Sequence, residues 1–213
     1  MPAFLYRTPP NLKRATPLGF IDEDYQRVWS LTYLPNEDRV ATRFNYLDPT
    51  EKTILVVDKE GGSPNETIVV TDDREFLASV TYLSDKDQFA ITFSSVQTSD
   101  PPTILQIVDI IDGEPVVRSE RDFADIGLTE VRAVAYAESG LPGGGRFLIN
   151  AAPGRRVLIA DSSLKVVGEF DAYSELGLSR ILSYDLVAIT SGKYAGAFGV
   201  FGDSGELVIF SIK

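Results

Sequence analysis

Short apolar runs alternate with turn residues along the whole chain, and the runs return in the same order. Ser30-Leu31-Thr32-Tyr33-Leu34-Pro35-Asn36-Glu37-Asp38-Arg39-Val40-Ala41 reappears 49 residues later as Ser79-Val80-Thr81-Tyr82-Leu83-Ser84-Asp85-Lys86-Asp87-Gln88-Phe89-Ala90. Thr53-Ile54-Leu55-Val56-Val57-Asp58 returns, with one residue inserted, as Thr103-Ile104-Leu105-Gln106-Ile107-Val108-Asp109. Ala133-Val134-Ala135-Tyr136 and Val157-Leu158-Ile159-Ala160-Asp161 form a third copy, lengthened by the Gly-rich turn Ser139 to Gly145. Ile181-Leu182-Ser183-Tyr184 and Leu207-Val208-Ile209-Phe210-Ser211 form a fourth. The joints repeat as well, Ile126-Gly127-Leu128-Thr129 answering Leu176-Gly177-Leu178-Ser179. Self-similarity at this period marks a repeat architecture, in which each unit is one supersecondary element.

Within a unit, the β-branched and aromatic content and the period-two alternation predict short strands. In the second unit they fall at Leu77 to Leu83, Gln88 to Val96, Thr103 to Val108 and Pro115 to Arg118. Asp112-Gly113 between the last two is a hairpin signal, since both turn positions want positive φ. The first unit predicts strands at Arg39 to Tyr46 and Thr67 to Thr71. The third predicts them at Arg146 to Ala152 and Lys165 to Phe170. The one helical candidate is a turn or two near Ala172 to Leu176.

Four-stranded antiparallel units of about fifty residues are what propeller blades look like in sequence. From about residue 27 to 213 the chain resembles the WD40-like β-propeller family in strand order and loop lengths. Asp58, Asp109 and Asp161 stand where that family places its closing Asp; its Gly-His and Trp-Asp pairs are absent. The resemblance implies an all-β, propeller-like domain over 1–213, with units at about 27–72, 75–121, 130–171 and 179–213. The fourth unit ends after its third strand, and Ala3 to Arg7 in the N-terminal segment 1–26 is a candidate for the closing strand. The alternative is half of an eight-bladed ring completed by another chain, a second copy included.

Composition narrows the chemistry. The chain of 213 residues is 44% apolar, enough for a full core. It carries 31 acidic against 20 basic residues, a net charge of −11, which repels phosphate backbones and anionic lipid. Neither nucleic acid nor membrane is expected as a partner. The chain has no Cys, hence no disulfide or thiolate site, and no His, hence no Ser-His-Asp triad. No apolar run suggests a secretory signal or a membrane span, so the default expectation is a soluble cytoplasmic protein.

Each candidate site has a plainer reading beside it. The repeated Tyr33, Tyr82, Tyr136 and Tyr184 fit a core position between blades better than a ring of ligand contacts. Asp58, Asp109 and Asp161 fit turns better than a carboxylate cluster. Asp22-Glu23-Asp24 fits a solvated loop, and Trp29 the edge of a core. Gly143-Gly144-Gly145-Arg146, Pro153-Gly154-Arg155-Arg156 and Ser191-Gly192-Lys193-Tyr194 fit hairpin turns, since none completes a phosphate-loop pattern. Asn65-Glu66-Thr67 matches a glycosylation acceptor by chance composition. Arg155 and Arg156, with Asp72, Asp73 and Arg74, are the expected protein-contact surface. No cofactor is expected. The expected function is a non-catalytic protein-binding or assembly scaffold. The alternatives are a carboxylate enzyme on a sugar or lactone, and a lectin with one shallow site per blade.

Overall fold

The structure is a computed structural model that describes residues 28–44, 53–58, 66–70, 76–94, 103–152, 156–178, 181–202 and 207–212. They form four antiparallel sheets, each built from strands consecutive in the chain. The first holds β1 (Val28–Leu34), β2 (Arg39–Phe44), β3 (Thr53–Asp58) and β4 (Glu66–Val69). The second holds β5 (Phe76–Leu83), β6 (Gln88–Ser94), β7 (Ile104–Ile111) and β8 (Glu114–Asp122). The third holds β9 (Glu130–Ala137), β10 (Arg146–Ala152), β11 (Arg156–Asp161) and β12 (Val166–Asp171). The fourth holds β13 (Ile181–Ala188), β14 (Phe198–Gly202) and β15 (Leu207–Phe210). A single helical turn, α1 (Ala172–Leu176), lies between the third and fourth sheets, where the sequence places it. No helix among the described residues is long and apolar enough to cross a membrane.

The sheets pack face to face in chain order, with β1, β5, β9 and β13 as successive neighbours. Three cores follow, one per seam. The first joins Ile54, Val56 and Ile68 of blade 1 to Tyr82, Phe89 and Ile91 of blade 2. The second joins Leu105 and Ile107 of blade 2 to Tyr136, Phe147 and Ile149 of blade 3. The third joins Leu148 and Ile159 of blade 3 to Phe198, Val200 and Phe210 of blade 4. An inner blade is thus covered on both faces, so four successive residues of β11 are buried. That double burial explains apolar runs without strict alternation. The outer strands are half covered: β12 alternates half-buried with exposed, and β8 is mostly exposed.

The predicted strands of the second and third units fall on the observed ones, but β7 runs on to Ile111 and β8 extends over Glu114–Asp122, past the expected ends at Val108 and Arg118. At the predicted Asp-Gly turn, Asp112 and Gly113 both take positive φ, 54° and 81°, the geometry of a hairpin turn whose twist suits its strands. The enlarged turn of blade 3 needs glycine for a steric reason. A Cβ on Gly144 would lie 1.8 Å from the carbonyl oxygen of Glu138.

Among the described residues β13 is not packed against β1 as the other first strands are packed on their neighbours. The candidate closing strand, Ala3 to Arg7, lies outside the described residues. In the fourth unit, the pairing of β13 with β14 is irregular between Ile181 and Leu186. It therefore places Ala188 opposite Phe198, as Tyr33 stands opposite Val40, Tyr82 opposite Phe89 and Tyr136 opposite Phe147. The structural counterpart of the three tyrosines is Ala188, four residues beyond Tyr184.

Candidate binding surface

The first and third strands of each blade run toward one end of the arc, and the second and fourth run back. Turns 1–2 and 3–4 therefore gather at one end, and connections 2–3 and the joints between blades at the other. At the first end the 1–2 turns of blades 2 and 3 are laced together. Tyr136 Oη donates to Asp85 Oδ2 of the preceding blade (3.1 Å), and the Ser139 amide donates to the same oxygen (2.8 Å). Ser139 Oγ also donates to Asp85, and Ser84 Oγ to Glu138 across the same seam. The Lys86 ammonium stands 5.5 Å from the Tyr136 ring centroid, a cation–π contact. Within their own blades, Tyr33 donates to Asp38 and Tyr82 to Asp87, each at 2.5 Å. Asp38 and Asp87 both sit at positive φ (54° and 55°), a conformation that Asp tolerates better than most residues.

Burial pushes the Tyr136 phenol up to about 12, and the charge of Asp85 adds to it. Burial raises the Tyr82 phenol too, and Asp87 reinforces the shift. Both hydroxyls remain protonated near neutral pH, which suits hydrogen-bond donors and not bases. Burial tends to raise the Asp85 carboxyl, but the bonds from Ser139 and Tyr136 outweigh it and hold its pKa below the usual range.

Two cavities open among these elements. The inner strands of all four blades line a central one of about 310 Å³, whose walls are Thr, Ser, Tyr and aliphatic side chains. A second, of about 240 Å³, lies at the seam of blades 1 and 2. Leu34, Val56, Ile68, Tyr82, Phe89 and Ile110 line it together with Glu37 and Asp87, and more of its open wall is polar than apolar. Both carboxylates belong to exposed turns, and Glu37 pairs with Arg39 Nη1 at 2.6 Å. Among the described residues no three Asp or Glu side chains gather as a metal site would need.

Of the expected contact residues, Arg156 is described. It opens β11 at the opposite end of the arc and is held within its blade by Glu169 Oε2, 2.6 Å from Nη2 and 3.2 Å from Nε. Arg155, Asp72, Asp73 and Arg74 lie outside the described residues, as do Asp22-Glu23-Asp24, Asn65, Pro153, Gly154 and the side chains of Trp29, Asp58 and Tyr184. Tyr82 and Tyr136 are 7% and 3% exposed, as an inter-blade core requires, whereas Tyr33 is 49% exposed. The repeated Asp divides into two roles. Asp161 accepts from Ser163 Oγ and from the amides of Ser163 and Lys165, a turn residue as expected. Asp109 instead accepts from Gln88 (2.7 Å) and Arg118 within its sheet. Residues 191–194, expected as a hairpin turn, form a short 3-10 turn at Gly192–Tyr194 in the β13–β14 connection. The lacing was missed in the sequence; the spacing of five shared by Tyr33 to Asp38 and Tyr82 to Asp87 signals only the bonds within a blade.

No protein-family model matches the chain, and no curated protein matches it in sequence. Among solved structures, the β-propeller domain of Cps50 (Swd1) from Myceliophteria thermophila is similar, with a TM-score of 0.55 at 8% identity. The match covers 87% of this chain and 54% of that one, so the chain spans about half the length of the propeller it resembles. At that identity the likeness speaks for the fold alone. The four sheets are β-propeller blades, similar at the level of the fold to WD40-like repeats.

Proposed function

We propose that the chain is a non-catalytic protein-binding module whose 1–2 and 3–4 turns receive an extended, basic segment of a partner. The observation that carries this reading is the cavity between blades 1 and 2, where Glu37 and Asp87 bring two carboxylates beside Tyr82 and Ile110. A Lys or Arg side chain matches both parts, its aliphatic stem against the walls and its charged head at the carboxylates. The net charge of −11 favours encounter with such a partner. Propellers suit this role because a rigid frame presents many loops, although the fold alone chooses no function.

Fluorescence anisotropy with labelled extended peptides tests it. Peptides bearing Lys or Arg between small residues should bind, and salt should weaken them. The double variant Asp87→Asn, Glu37→Gln should weaken binding on the order of tenfold. Asn at 87 keeps an acceptor for Tyr82 and tolerates positive φ, so the fold is preserved. Equal binding of Glu-bearing peptides, or no effect of the double variant, would sink the reading. A partner that depends on Arg156 instead would place the contact at the opposite end of the arc.

A further inference from the structure

The two end blades present opposite rows of the same repeat. At each interior seam, the row of the tyrosine position faces the preceding blade: Tyr82 with Phe89, Tyr136 with Phe147, and Ala188 with Phe198. On blade 1 the same row carries Tyr33 and Val40, and no described blade precedes it. The opposite row faces the following blade. It carries Thr32 with Ala41 and Val56, Thr81 with Ala90 and Ile107, and Ala135 with Leu148 and Ile159. Val56, Ile107 and Ile159 are buried by the blade that follows. On blade 4 this row is Val187, Gly199 and Ile209, and Val187 is 47% exposed. A Cβ on Gly199 would come within 3.0 Å of Val187 Cγ1 and 3.3 Å of Leu207 Cδ1. The surface there is apolar and shallow, as a blade-facing sheet is.

We propose that two copies of this chain join with blade 4 of each against blade 1 of the other, closing a ring of eight blades. Two observations choose a second copy. The matching surfaces, around Tyr33 on blade 1 and around Val187 on blade 4, are both on this chain, and these side chains are 49% and 47% exposed. Each stands in a row that an interior seam buries. A head-to-tail contact that closes after two copies leaves neither surface exposed. The central cavity, lined by the inner strands of four blades, becomes the half of a channel that a second copy completes. At the new joint Val187 takes the place of Thr32, whose Oγ accepts the Tyr82 amide of the next blade at 3.0 Å, and of Thr81, whose Oγ donates to the Val134 carbonyl. This inference is independent of the basic-peptide reading, since the seam cavity lies on the other face of blade 1.

Light scattering on the purified chain across a concentration series is the test. The expected mass is twice the 23.3 kDa of one chain. Val187→Asp should reduce it to one chain's mass, and Val187→Thr, which restores the side chain of the interior seams, should keep the pair. Circular dichroism checks that both variants are folded. The chain has no Cys, so introduced thiols give a second readout that tolerates a poorly folding charge variant. A Val187→Cys chain mixed with a Tyr33→Cys chain should be linked by a short bis-maleimide, and Val187→Cys chains alone should not. One chain's mass at every concentration, as when residues 1–27 cap an end instead, overturns the proposal. So do a mass of three or more copies, a pair that survives Val187→Asp, and a link between two Val187→Cys chains.

Discussion

Tyr136 and Tyr33 occupy one position of one repeat and have different surroundings. Tyr136 lies 4.7 Å from Phe147 between ring centroids, under Lys86, with its hydroxyl on Asp85 of the blade before. Tyr33 bonds Asp38 of its own turn and is half exposed. The side chain is the same, so the difference comes from the neighbour. In a stacked repeat, stability is approximately a sum of unit terms and nearest-neighbour terms, and a residue at the end of the stack loses one of the second kind.

The widest separation should come from truncating both tyrosines in the single-chain background of Val187→Asp. Urea unfolding should show Tyr136→Ala losing about 3–5 kcal/mol, as for a buried aromatic. Tyr33→Ala should lose within about 0.5 kcal/mol, as for a surface substitution. Equal losses would break the comparison.

The lacing across the seam is the next effect. Asp85→Ala removes the acceptor of Tyr136 and Ser139 and should cost about 1–2 kcal/mol. The folded pKa of Asp85 lies below its ordinary value of about 3.9. Its contribution is therefore complete above about pH 4 and fades as pH falls through the folded value. Asp85→Asn should flatten that acid limb in urea midpoints measured from neutral pH downward. The smallest effect belongs to the exposed pair of Arg156 with Glu169. Arg156→Ala should change stability by at most about 1 kcal/mol, and less in high salt.

Strand positions were legible in the sequence because the signal for them is local. Arg146 to Ala152 is predicted and observed with the same ends, since β-branched and aromatic residues there lie between a Gly-rich turn and a Pro-Gly pair. The repeat supplied the blades, because each copy confirmed the others. Register was less legible. Tyr184 matches Tyr136 as a letter, but the irregular start of β13 uses extra residues and moves the equivalent position to Ala188. The candidate site was legible only in part. A seam cavity is made by two blades at once, and Glu37 and Asp87, 50 residues apart, read singly as turn residues. The role of Asp109 was misread for a related reason: its partners Gln88 and Arg118 are brought to it by the sheet.

The threonines that bridge the seams have a mechanical consequence. Inside a blade, neighbouring strands are tied by ladders of backbone bonds; across a seam, Thr32 and Thr81 supply isolated ones. Under tension applied at the two ends of the arc, the seams should yield before any sheet shears. The molecule would then lengthen in steps of one blade, each stretching out only its own loop and leaving the next blade folded. A ring with no free end offers a pulling force no such place to begin.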